Sequence, residues 1–199
     1  MLPALLALSG TYDHPALDCL IGMCHHELRE SSAARERLVT TWDGLADLDD
    51  SAWERTPLMA LAVDLAGELG EPIPPALRSR VEQALLPTSG RMIVFAGVAM
   101  HLGPGDLHLG RLARDGRDPA EAVESLRAAA ALARRAGLDL WACWCDVDLA
   151  TALRRRGGPG ESEEANRLTR SAHRAARRGG WVRLGRAVEQ LSGERSGFS

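Results

Sequence analysis

Four groups of residues in this chain have types and spacings that can do chemistry. Cys19, Cys24, His25 and His26 offer thiolate and imidazole ligands of the kind that bind zinc. Gly105-Asp106-Leu107-His108-Leu109-Gly110-Arg111-Leu112 carries two glycines at phosphate-loop spacing. Asp49-Asp50, Asp146 with Asp148, and Glu161 with Glu163 and Glu164 are carboxylate pairs, the groups that acid–base catalysis uses. Arg154-Arg155-Arg156, Arg167, Arg170, Arg174, Arg177-Arg178, Arg183 and Arg186 supply the positive charge that phosphate contacts need.

Geometry and composition argue against most of this chemistry. On a helix Cys19 and Cys24 diverge by about 140°, and Cys19 and His26 stand about 10 Å apart along the axis, too far for one tetrahedral ion. Cys143 and Cys145, two residues apart, point to nearly opposite sides. In the glycine segment Arg111 and Leu112 stand where a phosphate loop has its lysine and its hydroxyl, so both phosphate steering and Mg²⁺ ligation are missing. All 24 residues counted as Lys or Arg are Arg, which rules out a Schiff-base lysine or a lysine general base. No Gly-x-Ser-x-Gly elbow is present. The carboxylate pairs are expected at helix starts, where they complement the dipole, or on exposed faces. The chain is therefore expected to be no enzyme and to hold no metal and no cofactor.

Helices are the elements that must position these residues. Hydrophobic residues make up 45% of the chain and aromatics only 4%, so the core is expected to consist of closely packed Ala, Leu and Val. Leu17, Ile21, Cys24 and Leu28 recur at helical spacing, as do Leu38, Trp42 and Leu45 after a cap at Ser31 or Ser32. Asp49 to Ser51 offers the next cap, Gly70 a terminator, and the segment 71–75, with three prolines, a loop that starts another helix. Residues 91–98 form the one strand-like apolar run, which periodicity cannot separate from a helix. Asp118-Pro119 caps a long helix that Gly137 closes, and 157–160 is a glycine-rich turn. The expected architecture is a single all-α helical-repeat domain over 1–191. Its hairpins lie at about 14–47, 50–86, 104–136 and 138–179, with a capping helix at 181–191 and a flexible tail at 192–199.

A spacing repeats inside this pattern. Ile21-Gly22, Ala34 and Leu38 match Leu109-Gly110, Ala122 and Leu126, with Thr41 and Ala129 at the next equivalent place. Small residues twelve apart are what two antiparallel helices need to cross closely. This spacing resembles a tetratricopeptide hairpin, and thus implies a tetratricopeptide-like α-solenoid. The run Leu85-Leu86-Pro87-Thr88-Ser89-Gly90-Arg91-Met92-Ile93-Val94, followed by Gly103-Pro104-Gly105-Asp106-Leu107-His108-Leu109-Gly110, extends the likeness. It resembles the helical sensor region of large ATP-dependent LuxR-type transcriptional regulators and of related multidomain adenylate-cyclase-like proteins, over roughly His14 to Leu191. Those regulators also carry a nucleotide-binding domain and a DNA-binding helix-turn-helix, neither of which is visible here. The resemblance implies a freestanding or truncated sensor region without ATP hydrolysis or promoter reading of its own.

Charge and aromatic placement suggest what such a module would touch. Residues 1–75 hold 4 Arg against 13 acids, whereas 127–186 hold 13 Arg against 6 acids. That gradient favours an acidic partner or head-to-tail self-association. Trp141 and Trp144 share a helical face and Trp181 opens the last helix, so these three are candidate anchors for a protein or peptide partner. Arg170, Arg174, Arg177 and Arg178 share another face and are candidate partner-binding residues, with nucleic acid as the alternative ligand. No window approaches the length of a membrane span, and Leu2 to Leu8 is short with no basic residue before it. A cytoplasmic location is expected.

Overall fold

The computed structural model describes residues 1–49, 52–95, 100–116 and 118–193. Among these the chain is all-α apart from one two-stranded sheet. In order, the helices are α1 (Leu2–Ser9), α2 (Pro15–Glu27), α3 (Ser31–Asp47), α4 (Arg55–Leu69) and α5 (Pro75–Leu85), then α6 (Gly105–Asp115), α7 (Pro119–Arg135), α8 (Asp139–Arg156), α9 (Glu161–Gly179) and α10 (Val182–Gly193). Between α5 and α6 lie a 3-10 turn at Leu86–Thr88 and strands β1 (Met92–Phe95) and β2 (Met100–Pro104). The apolar run at 91–98 is thus extended where it is described; residues 96–99 lie outside the described set. Contacts among the described residues gather into two compact units, one drawn from 1–87 and 93–102 and the other from 88–92 and 103–193.

In the first unit α2 packs on α1, α3 and α4, and α4 also packs on α3 and α5. Helix α4 is central: every residue from Pro57 to Ala66 is buried, which an apolar sequence without a polar stripe requires. Gly70 ends it at φ +69, a left-handed conformation that costs a residue without Cβ nothing. Gly22 lets α2 approach its neighbours, because a Cβ there would meet Leu65 Cδ2 at 2.7 Å and Arg37 Cβ at 3.2 Å. Two local expectations change. Ser31 is already the first residue of α3, with Glu30 at the N-cap and no side-chain cap bond. Asp50 and Ser51 lie outside the described residues, and α4 starts after an N-cap at Glu54. Leu2 to Leu8, which carries no polar periodicity, is helical nonetheless.

In the second unit each helix from α6 to α10 packs on the next, and α8 also touches α6 and α10. Loops of two to four residues join packed neighbours here, so consecutive helices run antiparallel. Asp118 caps α7 by accepting from the Glu121 N–H at 3.0 Å. The α6–α7 crossing is close because Gly110 faces α7: a Cβ there would meet Leu126 Cγ at 2.6 Å and the Ala122 carbonyl oxygen at 3.3 Å. The core beneath is Leu107, Val123, Leu126, Ala129, Ala130, Cys145, Leu149, Leu153 and Leu168. A smaller cluster of Val147, Ala172, Ala176, Leu184 and Val188 joins α8, α9 and α10.

Candidate functional site

Helix α8 has neighbours on several sides, so almost every side chain along it has something to touch. Trp141 packs on the larger core of the second unit. Its ring lies on Gly103, whose Cβ would sit 2.6 Å from the ring and whose φ is +88; glycine is required there twice over. Trp144 and Trp181 join the smaller cluster instead, and the Trp181 ring covers Gly179. The Arg183 guanidinium stands 5.7 Å from the centroid of the Trp144 ring, within cation–π range. The structure therefore brings Trp144 and Trp181 together and leaves Trp141 on the other cluster. All three rings are half-buried.

Beside Trp181 lies a groove between α9 and α10 of about 400 Å³, whose lining includes His173, Arg177, Val182, Arg186 and Glu189. The outer face of α9 continues the positive charge. Arg167, Arg170, Arg174, Arg177 and Arg178 are all exposed, and no hydrogen bond or ion pair ties any of them to a described residue. Other arginines of this unit are held: Arg127 by Glu164 at 2.6 Å, Arg156 by Glu161, Arg154 by Thr169 at 2.9 Å. Arg167 lies close enough to Asp146 for its charge to act on that carboxylate, whereas Arg170, Arg174, Arg177 and Arg178 have no acid partner among the described residues.

Glu161, Glu163 and Glu164 lie in the first turn of α9 as expected, but the other internal pair departs from expectation. Asp146 and Asp148 lie neither at a helix start nor on an exposed face; both are buried in the middle of α8. Asp148 Oδ2 accepts from Arg111 Nε at 2.9 Å and Nη2 at 2.7 Å, and Oδ1 accepts from Arg114 Nη1 at 2.6 Å. Burial pushes its pKa up, but the two guanidinium charges outweigh that and hold the carboxyl below its ordinary value. Asp146 accepts from Arg134 Nη2 at 2.6 and 2.5 Å, yet burial dominates there and the pKa is raised. The difference follows from the partners. The Asp148 pair is shut away from water on both sides, whereas the Arg134 side chain is 51% exposed. Glu161 is a local brace, accepting from the Gly158 N–H at 2.7 Å and from Arg156, whose hydrogen bond holds its carboxyl below the usual range. The pairing of Asp148 with Arg111 and Arg114 escaped sequence reasoning; two aspartates two apart in the mostly apolar run 140–153 were the available signal.

The other chemical candidates are absorbed by packing. Cys19, Cys24 and Cys145 are buried, Cys143 is half-buried, and all four are free thiols. Burial pushes the thiol pKa values of Cys19, Cys143 and Cys145 up, which suppresses the thiolate. Iodoacetamide is expected to leave Cys19 and Cys145 unlabelled in the native protein and to label them once it unfolds, as mass spectrometry of timed samples would read. His25 Nδ1 lies 2.6 Å from Glu30, and His26 Nε2 lies 3.9 Å from Glu68. Among the described residues, no three His, Cys, Asp or Glu come together as a metal set. At the start of α6, Gly105 packs on Thr88 and its N–H donates to the Arg91 carbonyl at 2.9 Å. Asp106 accepts from Ser89 Oγ at 2.8 Å and from the Gly90 N–H at 2.9 Å. The two glycines of this segment stand within a helix and not in a loop.

No helix among the described residues is long and apolar enough to cross a membrane. No family model, no curated protein and no solved structure matches this chain, so the reading of its surface rests on the geometry above.

Proposed function

We propose that the chain is a tetratricopeptide-like α-solenoid that serves as a non-catalytic protein-interaction or regulatory-sensor module, like the helical-repeat region of LuxR-type regulators, and that it works in the cytoplasm. The row of exposed arginines on α9, of which Arg170, Arg174, Arg177 and Arg178 have no acid partner among the described residues, lies beside the groove lined by Trp181 and is the observation that supports it best. Five guanidinium groups on one helix face repel one another, and an acidic partner relieves that repulsion. The antiparallel helices that follow one another through the second unit, and the close α6–α7 crossing at Gly110, support the repeat reading.

Affinity capture with the purified chain as bait tests the module reading. One stoichiometric protein, without turnover of any added substrate, is the expected catch. Arg170→Glu, Arg174→Glu and Arg177→Glu together should lower its recovery at least tenfold while the circular dichroism spectrum holds. Capture of no protein, or capture indifferent to this charge reversal, would overturn the reading. The same arginines favour nucleic acid as a second reading, in which binding of a random duplex falls steeply with salt.

A further inference from the structure

We propose that the outer face of α9 docks on the outer face of α3 of a second copy, so that chains associate head to tail. Arg167, Arg174 and Arg178 are spaced by seven and then four residues, which places them within about 40° on α9 and over about 16 Å of its length. Glu36, Asp43 and Asp47 on α3 have the same seven-and-four spacing, hence the same arc and span. All six side chains are exposed and none forms a close ion pair with a described residue; of the six, Arg167 alone has a longer-range internal partner, its charge acting on Asp146. Neighbouring charges on the same helices are neutralised within the chain: Arg35 meets Glu71, Arg37 meets Asp18, and Glu164 meets Arg127. Val39, 59% exposed between Glu36 and Asp43, adds apolar area to the acidic face.

A nucleic acid accounts for the arginine row alone. A second copy accounts for both rows and for their common spacing. It also fits the charge gradient, since 1–75 hold 13 acids to 4 Arg and 127–186 hold 13 Arg to 6 acids, which steers an acidic segment of one copy towards a basic segment of another.

This inference rests on the interaction-module reading and is tested on the purified protein by sedimentation velocity. At low salt the sedimentation coefficient should rise with concentration, and at about 1 M salt, where the screening length is about 3 Å, the chain should sediment as a monomer. Arg167→Glu, Arg174→Glu and Arg178→Glu together should give a monomer at every salt, as should Glu36→Arg, Asp43→Arg and Asp47→Arg together. Mixing the two triple variants should restore the larger species, because each carries what the other's reversed face needs. A wild type that is monomeric at low salt, or variants whose mixture stays monomeric, overturns the proposal, and so does low-salt association that the reversals leave unchanged. A monomer that still captures a charge-sensitive protein partner leaves the module reading standing. A monomer whose α9 row instead binds duplex overturns both.

Discussion

Replacing Asp148 with alanine is expected to cost about 3–5 kcal/mol of folding stability, the loss that follows when one member of a buried ion pair is removed. The carboxylate neutralises Arg111 and Arg114 at once, and the Arg111 side chain is 8% exposed. Without Asp148 that guanidinium keeps its charge, since its pKa is far above any working pH, and has little access to water. Chemical denaturation reads the loss as a lower midpoint at unchanged slope. Asp146→Asn, two residues earlier in the same helix, should cost less than about 1 kcal/mol, because Arg134 can turn to solvent. Equal losses at the two positions would show that burial of the pair is not what matters.

The same two aspartates should pull pH dependence in opposite directions. Asp148 has a folded pKa below its ordinary 3.8, so its stabilisation is complete above that value and is lost as pH falls through the lower folded pKa. Asp146 has a folded pKa above 3.8, so the folded state takes up its proton first and stability rises as pH falls from the folded pKa towards 3.8. Asp146→Asn should therefore remove a gain on mild acidification, and Asp148→Asn should remove a loss at lower pH. Stability curves of the two variants against pH would show it.

Gly110→Ala is expected to cost about 1–3 kcal/mol, although alanine is the better helix former. The new methyl would lie 2.6 Å from Leu126 Cγ, a branch point on a fully buried side chain, and 3.3 Å from the Ala122 carbonyl oxygen. Neither can yield without moving α7. Gly22→Ala has the same place in the repeat spacing, but its nearest obstacle is Leu65 Cδ2, the far end of a flexible side chain. There the helix gain of about 1 kcal/mol offsets a small displacement, and the net change should stay within about 1 kcal/mol. Leu126→Ala in the Gly110→Ala background should cost less than the sum of the two single changes, because the shortened side chain makes room for the methyl. Additive losses would mean the two residues do not meet as described.

The twelve-residue spacing was legible because it is a local consequence of helix geometry: a small residue on one helix must face a small residue and a leucine on the next. Gly70, Asp118, Gly137 and Gly157 marked helix ends for an equally local reason, since a cap or a left-handed turn depends on a few neighbouring backbone groups. The strand at Met92–Phe95 was not separable from a helix, because a short apolar run suits either. The helix at Leu2–Ser9 was not anticipated either. Of the candidate partner-binding residues, the α9 arginines could be placed on one face by counting, whereas the division of the tryptophans between two clusters could not.

The amino-acid sequence by itself determined the all-α character, the helix boundaries set by glycine and capping residues, and the close crossing at Gly110. Each of these depends on interactions within a turn or two of chain, or on one repeated spacing. Only the tertiary structure decided the fate of Asp146 and Asp148. Burial of a side chain is set by how many helices surround it, and α8 is packed against α7 and α9 and also touched by α6 and α10. A carboxylate that periodicity assigns to water is then held by guanidinium groups from residues 34 and 37 positions away. The same physics separates the exposed arginines of α9 from those that the fold neutralises: all are alike in sequence, and the position of the neighbouring acid decides.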